Sequence, residues 1–240
     1  MKFPRLLAIA LGVLSTGSAL AHGIWTETRR GDLEVVYGHG AEDEAYAPER
    51  IKEVWAYAPD GHSIPTTVER RQDHVRLVPL ATPAVVSVAM DNGIWSKGPD
   101  GKSVNASMTQ VAGATSASHS YKYSLAILQA HARLPTDLRM AMLIRPLRDP
   151  TTVGVGKPLP VEVTIDGKPA PDIALFDDYR ALADASSVRT DARGRANVII
   201  RNAGLNVIAA QARVPSTREQ GVTERSLSTS LTFVGERHSH

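Results

Sequence analysis

The sequence contains no cysteine, and this absence excludes several kinds of structure at once. A cysteine-linked lipid anchor, a disulfide framework and a thiolate metal site all require that residue. Soft-metal chemistry in this chain would therefore have to use the imidazoles of its eight histidines. Stability has to come from apolar burial, for which 240 residues are sufficient.

Long apolar runs are also scarce. Leu6 to Leu14 is interrupted only by Gly12 and has about half of the ~20 residues that a membrane span needs. Lys2 and Arg5 precede this run, and Ala19-Leu20-Ala21 ends the small-residue segment after it in an A-x-A cleavage pattern. We interpret residues 1–21 as a secretory signal peptide; the alternative is an uncleaved amphipathic helix. The expected protein is periplasmic and has no stable membrane anchor.

Neither sign of charge dominates the chain. The 27 basic residues exceed the 25 acidic ones by two, which is the number contributed by Lys2 and Arg5 of the leader. No basic stripe is left that would attract nucleic acid or anionic lipid. Enzyme signatures are absent too, since the chain has no G-x-S-x-G, H-E-x-x-H, phosphate loop or dinucleotide fingerprint. We expect a protein that is not an enzyme and does not bind nucleic acid.

Helical periodicity is almost absent, and short alternating or β-branched runs are separated by Gly, Pro and Asp turns. We predict an all-β fold of two β-sandwich domains, residues 22–134 and 135–235, followed by a flexible tail at 236–240. The second domain has the size of an immunoglobulin-like or transthyretin-like sandwich. A polar loop is predicted over residues 91–118. The predicted strands are 33–37, 52–57, 64–69, 74–77, 85–90 and 120–129, then 139–144, 159–165, 173–176, 187–190, 196–200, 205–212 and 228–234.

Cleavage after Ala21 would make His22 the first residue of the mature chain. A terminal histidine offers its α-amine and its ring Nδ1, which together can close a chelate ring on a transition metal. The reference pKa of an α-amine is about 7.7–8.0, so losing that proton to a metal costs little near neutral pH. We therefore select His22 as the first candidate metal ligand.

A hairpin argument links His22 to His39. A turn at Arg30-Gly31 pairs residues whose numbers sum to 61, so His22 faces His39. Opposed Cβ atoms in such a pair are about 5 Å apart, which suits two imidazoles on one ion. A shift of one residue in register would break the match. The glycines flanking His39 fit a sharp turn or a close backbone approach, and they fit an ordinary loop equally well.

His119 is the third candidate ligand, at the start of a run that continues Ser120-Tyr121-Lys122-Tyr123. Its neighbours leave alternatives open, because Tyr121 and Tyr123 can line the site or belong to the core. Asp91 and Asn92 either orient an imidazole or form a turn. The acidic run 42–44 either attracts a cation or is a solvated face. Of the remaining histidines, His62 is interpreted as a solvated turn residue, and His74 and His131 as surface or hydrogen-bonded residues. The tail with His238 and His240 is interpreted as a frayed end, with metal binding as the alternative.

At these motifs the chain resembles the exported DUF4198 proteins, described as periplasmic components of nickel or cobalt uptake (the NikM/NikK-like group). The resemblance covers nearly the whole mature chain. Its motifs are Ala21-His22-Gly23-Ile24-Trp25, residues 36–42, 91–95 and 99–102, His119 with Lys122-Tyr123, and residues 166–169, 190–194 and 204–210. In many members an acidic residue follows the terminal histidine; here that position is Gly23.

The resemblance implies a two-domain β protein that handles a divalent transition metal outside the cytoplasmic membrane. Nickel or cobalt is favoured through the resemblance alone, whereas nitrogen ligation also suits copper or zinc. We predict that His22, His39 and His119 hold the metal for delivery to an inner-membrane transporter. The two alternatives are a copper-dependent histidine-brace oxidative enzyme and a metal-free β-sandwich adhesion or scaffold module. With 5% aromatic residues, the chain offers few rings for the sugar-binding face that such an enzyme uses.

Overall fold

The computed structural model describes residues 22–216 and 220–235. Within these ranges the chain forms seventeen β-strands and three short 3₁₀ turns, and it contains no α-helix. No helix in this part of the chain is long and apolar enough to cross a membrane. The predicted signal peptide and the tail with His238 and His240 lie outside the described residues. The all-β prediction is confirmed.

The largest sheet has nine strands and forms the middle layer of the molecule. Its strands are β3 (Ile51–Tyr57), β4 (Ser63–Ile64), β7 (Val85–Lys97), β8 (Ser103–Val104), β9 (Ser116–Ile127), β13 (Ala174–Phe176), β14 (Val188–Arg189), β16 (Leu205–Pro215) and β17 (Glu224–Val234). Most neighbours are antiparallel, but β17 pairs with β9 in parallel, from Glu224 opposite Ser118 to Phe233 opposite Ile127. This parallel pairing joins strands from the two halves of the chain.

Two four-stranded sheets complete the fold. One contains β1 (Gly23–Arg29), β2 (Asp32–Gly38), β5 (Thr66–Arg70) and β6 (Val75–Pro79). The other contains β10 (Met142–Pro146), β11 (Pro158–Ile165), β12 (Lys168–Pro169) and β15 (Arg195–Ile199). The two sheets pack on opposite faces of the nine-stranded sheet. Since side chains alternate along a strand, neighbouring residues of the middle sheet point to different four-stranded sheets. In β9, Ala126 packs in the core cluster with the first sheet, whereas Leu125 packs in the cluster with the second.

The two predicted sandwiches therefore share their middle sheet. Strands on both sides of residue 134 belong to that sheet, so the predicted boundary at 134/135 does not separate two independent sets of sheets. The packing is tight on both faces, as fully buried Ile24, Leu125 and Leu159 show. Each such side chain contributes about 1.5–3 kcal/mol through burial.

The predicted loop over residues 91–118 was wrong at both ends. β7 continues through Asp91 to Lys97, and β9 already begins at Ser116. These polar segments pair with each other, Lys97 opposite Ser116, after a bulge between Asp91 and Ile94. The prediction assigned these residues to a loop because they are polar. They are polar because one face of the two paired strands lines a polar pocket and not the apolar core.

Candidate metal centre

The first hairpin brings the N-terminal end of β1 beside the end of β2. Arg30 (φ 50°) and Gly31 (φ 91°) both have the positive φ that a two-residue type I′ turn requires. The register runs from Arg29 opposite Asp32 to Gly23 opposite Gly38, as predicted. His22 and His39 lie one step beyond the last pair, with ring centroids 6.2 Å apart and planes inclined by 73°. The predicted approach of these two rings is confirmed.

The loop after β2 then turns back on the hairpin. Glu42 donates its backbone N–H to the carbonyl of His39 (3.2 Å), and Glu44 donates to the carbonyl of Tyr37 (2.8 Å). Gly40 takes a positive φ of 63°, and a Cβ at Gly38 would overlap the backbone oxygen of Glu42. Both glycines therefore serve the tight return that the sequence allowed as one alternative.

This return places two carboxylates next to the His22 ring. Ligand atoms of His22, Glu42 and Glu44 all lie within 4.8 Å of one another. His22 Nε2 is 2.8 Å from Glu44 Oε1, and the two side chains are 38% and 43% exposed. The imidazole also stacks on Tyr37, with centroids 5.3 Å apart. Asp43 points elsewhere and pairs with Arg29. The cluster combines one imidazole with two carboxylates at the protein surface.

His39 stands at the edge of this cluster and is held from the second half of the chain. Its Nε2 lies 3.1 Å from Asp184 Oδ1, and its ring meets Tyr179 edge-on at 5.9 Å. Its Nδ1 is buried and has no hydrogen-bond partner among the described residues. If Nε2 carries the proton donated to Asp184, Nδ1 keeps its lone pair free. A carboxylate that orients one ring nitrogen while the other stays free is a common arrangement behind metal-binding histidines.

His119 is not brought together with His22 and His39. Along β9, Ser118, Ser120 and Lys122 line the same pocket as His22, whereas His119 belongs to the alternate set that faces the other side of the sheet. Tyr121 and Tyr123 of that alternate set pack in the core cluster with the second four-stranded sheet.

Both ring nitrogens of His119 are also engaged. Nε2 lies 2.7 Å from Asp91 Oδ1, and Nδ1 lies 3.0 Å from the hydroxyl of Tyr121. The expected three-histidine site is therefore corrected: the structure offers Glu42 and Glu44 to His22 where the sequence suggested His119.

Asp91 and Asn92 lie on opposite faces of the nine-stranded sheet and contact different residues. Asp91 orients an imidazole, but it is the ring of His119. Asn92 accepts a hydrogen bond of 2.7 Å from Arg50 on the side of the sheet that faces Tyr37. Neither residue supports His22 directly.

The other described histidines have the surface positions expected for them. His62 lies 2.9 Å from Asp60 and is 85% exposed. His74 lies 2.7 Å from Asp73. His131 is 84% exposed and lies 3.5 Å from Asp149. None belongs to the cluster around His22.

Lys122 was not identified from the sequence as part of the site. Its side chain is 1% exposed, and its ammonium donates to the carbonyl oxygen of His22. Burial, and secondarily the charge of Arg50, lowers the pKa of Lys122 to about 8. Burial first and Glu44 second raise the pKa of the neighbouring Tyr37. The sequence held two signals: Lys122 belongs to one of the motifs of the family resemblance, and the alternation Ser118-Ser120-Lys122 marks a polar strand face without saying what it meets.

Residues 19–214 match the family model described as "Domain of unknown function (DUF4198)". The chain belongs to the DUF4198 family. An "Uncharacterized protein" of Haemophilus influenzae (strain ATCC 51907 / DSM 11121 / KW20 / Rd) is 27% identical to this member over 234 residues, covering 97% of this chain and 99% of that protein. Among solved structures, the fibronectin(III)-like modules of Clostridium thermocellum CbhA align with 93% of this chain and 96% of theirs at 9% identity. The TM-score of 0.25 is too low to support any inference from that alignment.

Proposed function

We propose that this DUF4198 member binds a divalent transition metal at His22, Glu42 and Glu44, with His39 as a further ligand. The observation that carries the proposal is the convergence of three ligand atoms within 4.8 Å. Bonds from histidine nitrogen or carboxylate oxygen to such an ion are about 2.0–2.2 Å long. Small side-chain rotations would therefore bring ligand atoms of His22, Glu42 and Glu44 to bonding distance of one ion.

Removal of residues 1–21 would add a second nitrogen donor from His22, its α-amine, which can chelate an ion together with ring Nδ1. Because Nε2 faces Glu44 in the structure, the imidazole would have to turn over about its Cβ–Cγ bond to bring Nδ1 to the same ion. The donor set then mixes nitrogen and oxygen, which suits nickel, cobalt, copper or zinc. Nickel and cobalt are preferred on the family resemblance. The acidic residue that many members carry after the terminal histidine is Gly23 here, and Glu42 and Glu44 would supply the carboxylates in its place.

Capture in the periplasm and delivery to an inner-membrane transporter is the proposed role. The metal would be a cargo, and the exposure of the ligands supports this, since His22 and Glu44 are 38% and 43% exposed. A partner could reach such ligands without unfolding the protein. A resident cofactor, by contrast, is commonly enclosed by a shell that controls solvent access.

Calorimetric titration of nickel into two forms of the protein tests the amine. One form begins at His22 and the other begins at Ala21, so the second carries a single extra residue that moves the amine out of chelating reach. We expect the longer form to bind at least about tenfold more weakly, and mass spectrometry of exported protein to give His22 as the first residue. Equal affinities would contradict a role for the amine.

The carboxylates are tested separately with the double variant Glu42→Gln/Glu44→Gln. Its matched control is Glu49→Gln, another exposed glutamate of the same loop region. We expect nickel affinity to fall at least about tenfold in the double variant and to stay unchanged in the control. Unchanged affinity in the double variant would refute this ligand set. Oxygen consumption by the copper-loaded protein with a reductant would instead support the oxidative-enzyme alternative.

A further inference from the structure

A pocket of about 650 Å³ adjoins the candidate metal centre, with His22 and Tyr37 in its wall. Its floor is the polar face of β9, where Ser118, Ser120 and Lys122 follow one another at every second residue. Ser226 of β17 lies beside Ser120 in the parallel pair. A metal ion alone needs no space of this size, whereas small organic ligands occupy pockets of about 300–1,000 Å³.

Lys122 supplies a buried positive charge to this pocket. The side chain is 1% exposed, yet the only hydrogen bond that it makes within the described part of the chain is to the neutral carbonyl oxygen of His22. Its ammonium also lies 5.7 Å from the centre of the Tyr37 ring. No carboxylate lies within ion-pair distance of it in residues 22–216 and 220–235. Buried charges are normally paired because leaving them alone is costly.

Arg50 is a second nearby cation, and no carboxylate of the described residues forms an ion pair with it. Its guanidinium donates to Asn92 Oδ1 (2.7 Å) and to Asn105 Oδ1 (3.0 Å), both of which belong to neutral amides. Its charge is close enough to Lys122 to act on it electrostatically. Arg50 does not itself line the pocket, but it bonds to the lining residue Asn92 and its charge adds to that of Lys122.

The acidic residues nearby do not neutralise this positive charge. Glu224 lines the pocket but pairs with Arg213, another lining residue. Glu44 lies against His22 on the side of the metal cluster. The remaining lining cation, Lys97, adds to the positive charge. An anion entering the pocket would find an ammonium group and several serine hydroxyls, which are the donors that a carboxylate accepts from.

We propose that this pocket binds a small polycarboxylate that also ligates the metal at His22, so that the cargo is a metal–carboxylate complex. This inference rests on the proposed metal-binding function, since His22 belongs to both sites. One carboxylate of the ligand meets Lys122 and the serine face, and another completes the coordination of the ion. The protein then selects the complex by two features, the metal and the negative charge of its chelator.

Equilibrium dialysis with radiolabelled citrate tests the proposal on the protein that begins at His22. Three arms contain nickel alone, citrate alone, and both together, in a buffer free of phosphate. We expect nickel to be retained in the first arm and labelled citrate to be retained at least tenfold more strongly with nickel than without it. Citrate that stays unbound while nickel binds would overturn this inference and leave the metal site standing. Failure of nickel itself to bind would overturn both.

Two variants probe the ammonium. Lys122→Met removes the charge, and Lys122→Gln removes the charge but keeps a donor for the carbonyl of His22. We expect both to lose citrate retention at least tenfold, while circular dichroism confirms that they are folded. Lys168→Met, an exposed lysine on the opposite four-stranded sheet, is the matched control and should retain citrate normally. Equal retention by Lys122→Gln and the control would contradict the proposal, as would full displacement of the label by equimolar inorganic phosphate.

Discussion

The backbone carbonyl of Glu42 lies so close to Gly38 that a Cβ at residue 38 would overlap its oxygen. Glycine is therefore required at this position for the loop to return and present Glu42 and Glu44 to His22. We predict that Gly38→Ala forces the loop outward, lowers the free energy of unfolding by about 1–3 kcal/mol and weakens nickel binding. Urea unfolding and calorimetric titration measure the two effects.

The matched control for that change is Gly204→Ala, because a Cβ there would meet nothing within 4 Å. It should change neither stability nor nickel affinity appreciably. Nickel binding of normal strength in Gly38→Ala would show that the loop does not supply ligands.

Asp184 is expected to act on metal binding through His39. In the proposed tautomer, Asp184 accepts the proton of Nε2 and leaves Nδ1 for the ion, so Asp184→Asn should weaken nickel binding without loss of fold. Partners of this kind typically contribute about 10- to 100-fold in affinity, and the 86% exposure of Asp184 favours the lower end. Titration against Asp137→Asn, an exposed aspartate remote in sequence, provides the comparison. If the two variants bind nickel equally well, His39 is not a ligand in the tautomer proposed.

His119 should matter for stability and not for metal. Its ring bonds to Asp91 and Tyr121, and its side chain is only 13% exposed. We predict that His119→Gln lowers the free energy of unfolding by about 1–3 kcal/mol, since it leaves polar partners without their bonds. Nickel affinity should stay within twofold of wild type. His62→Gln, at an exposed position, should change neither quantity; a loss of nickel binding in His119→Gln alone would restore the three-histidine site.

Lys122 should make the stability of the metal-free protein depend on pH. Burial first and Arg50 second lower its pKa from 10.5 to about 8. The folded state therefore holds this proton more weakly than the unfolded chain does. Below pH 8 the buried ammonium is charged, and its burial lowers the free energy of unfolding by the full amount. That penalty disappears as the pH rises from about 8 to 10.5.

A pKa difference of this size corresponds to about 3 kcal/mol. We predict that the free energy of unfolding of wild type rises over this pH range relative to that of Lys122→Met. Urea unfolding of both proteins in EDTA at several pH values isolates the effect, because tyrosine ionisation is common to both. If the free energy of unfolding changed with pH equally in both proteins, Lys122 would not be a buried ammonium with a lowered pKa.

Local rules were enough to predict the first hairpin and most strands. The Arg30-Gly31 turn fixes its register from adjacent residues alone, which is why the approach of His22 to His39 followed correctly. The strand predicted at residues 159–165 matches β11 to within one residue for the same reason, since alternation is visible in the sequence itself. The shared middle sheet could not be predicted this way, because the parallel pairing of β17 with β9 joins segments about 100 residues apart.

The candidate site shows the same division. Its histidine and acidic run lie within one hairpin and its loop, so the sequence already offered a cation-binding role for the acidic run beside the alternative of a solvated face. Which face of β9 is turned toward that hairpin depends on how the sheets stack. Because successive side chains of a strand point to opposite faces, Lys122 reaches His22 and His119 does not. Asp184 reaches His39 across 145 positions of sequence, a contact that only packing creates.

By itself, the amino-acid order determined an all-β chain and the register of its first turn, and it placed a histidine directly after the predicted cleavage site. Tertiary structure alone decided that carboxylates, and not a third imidazole, meet that histidine, and that a lysine with no carboxylate partner among the described residues lies behind it. The physical reason is that period-two alternation specifies two faces for every strand, but only the burial of one sheet against another selects which face looks inward to the site.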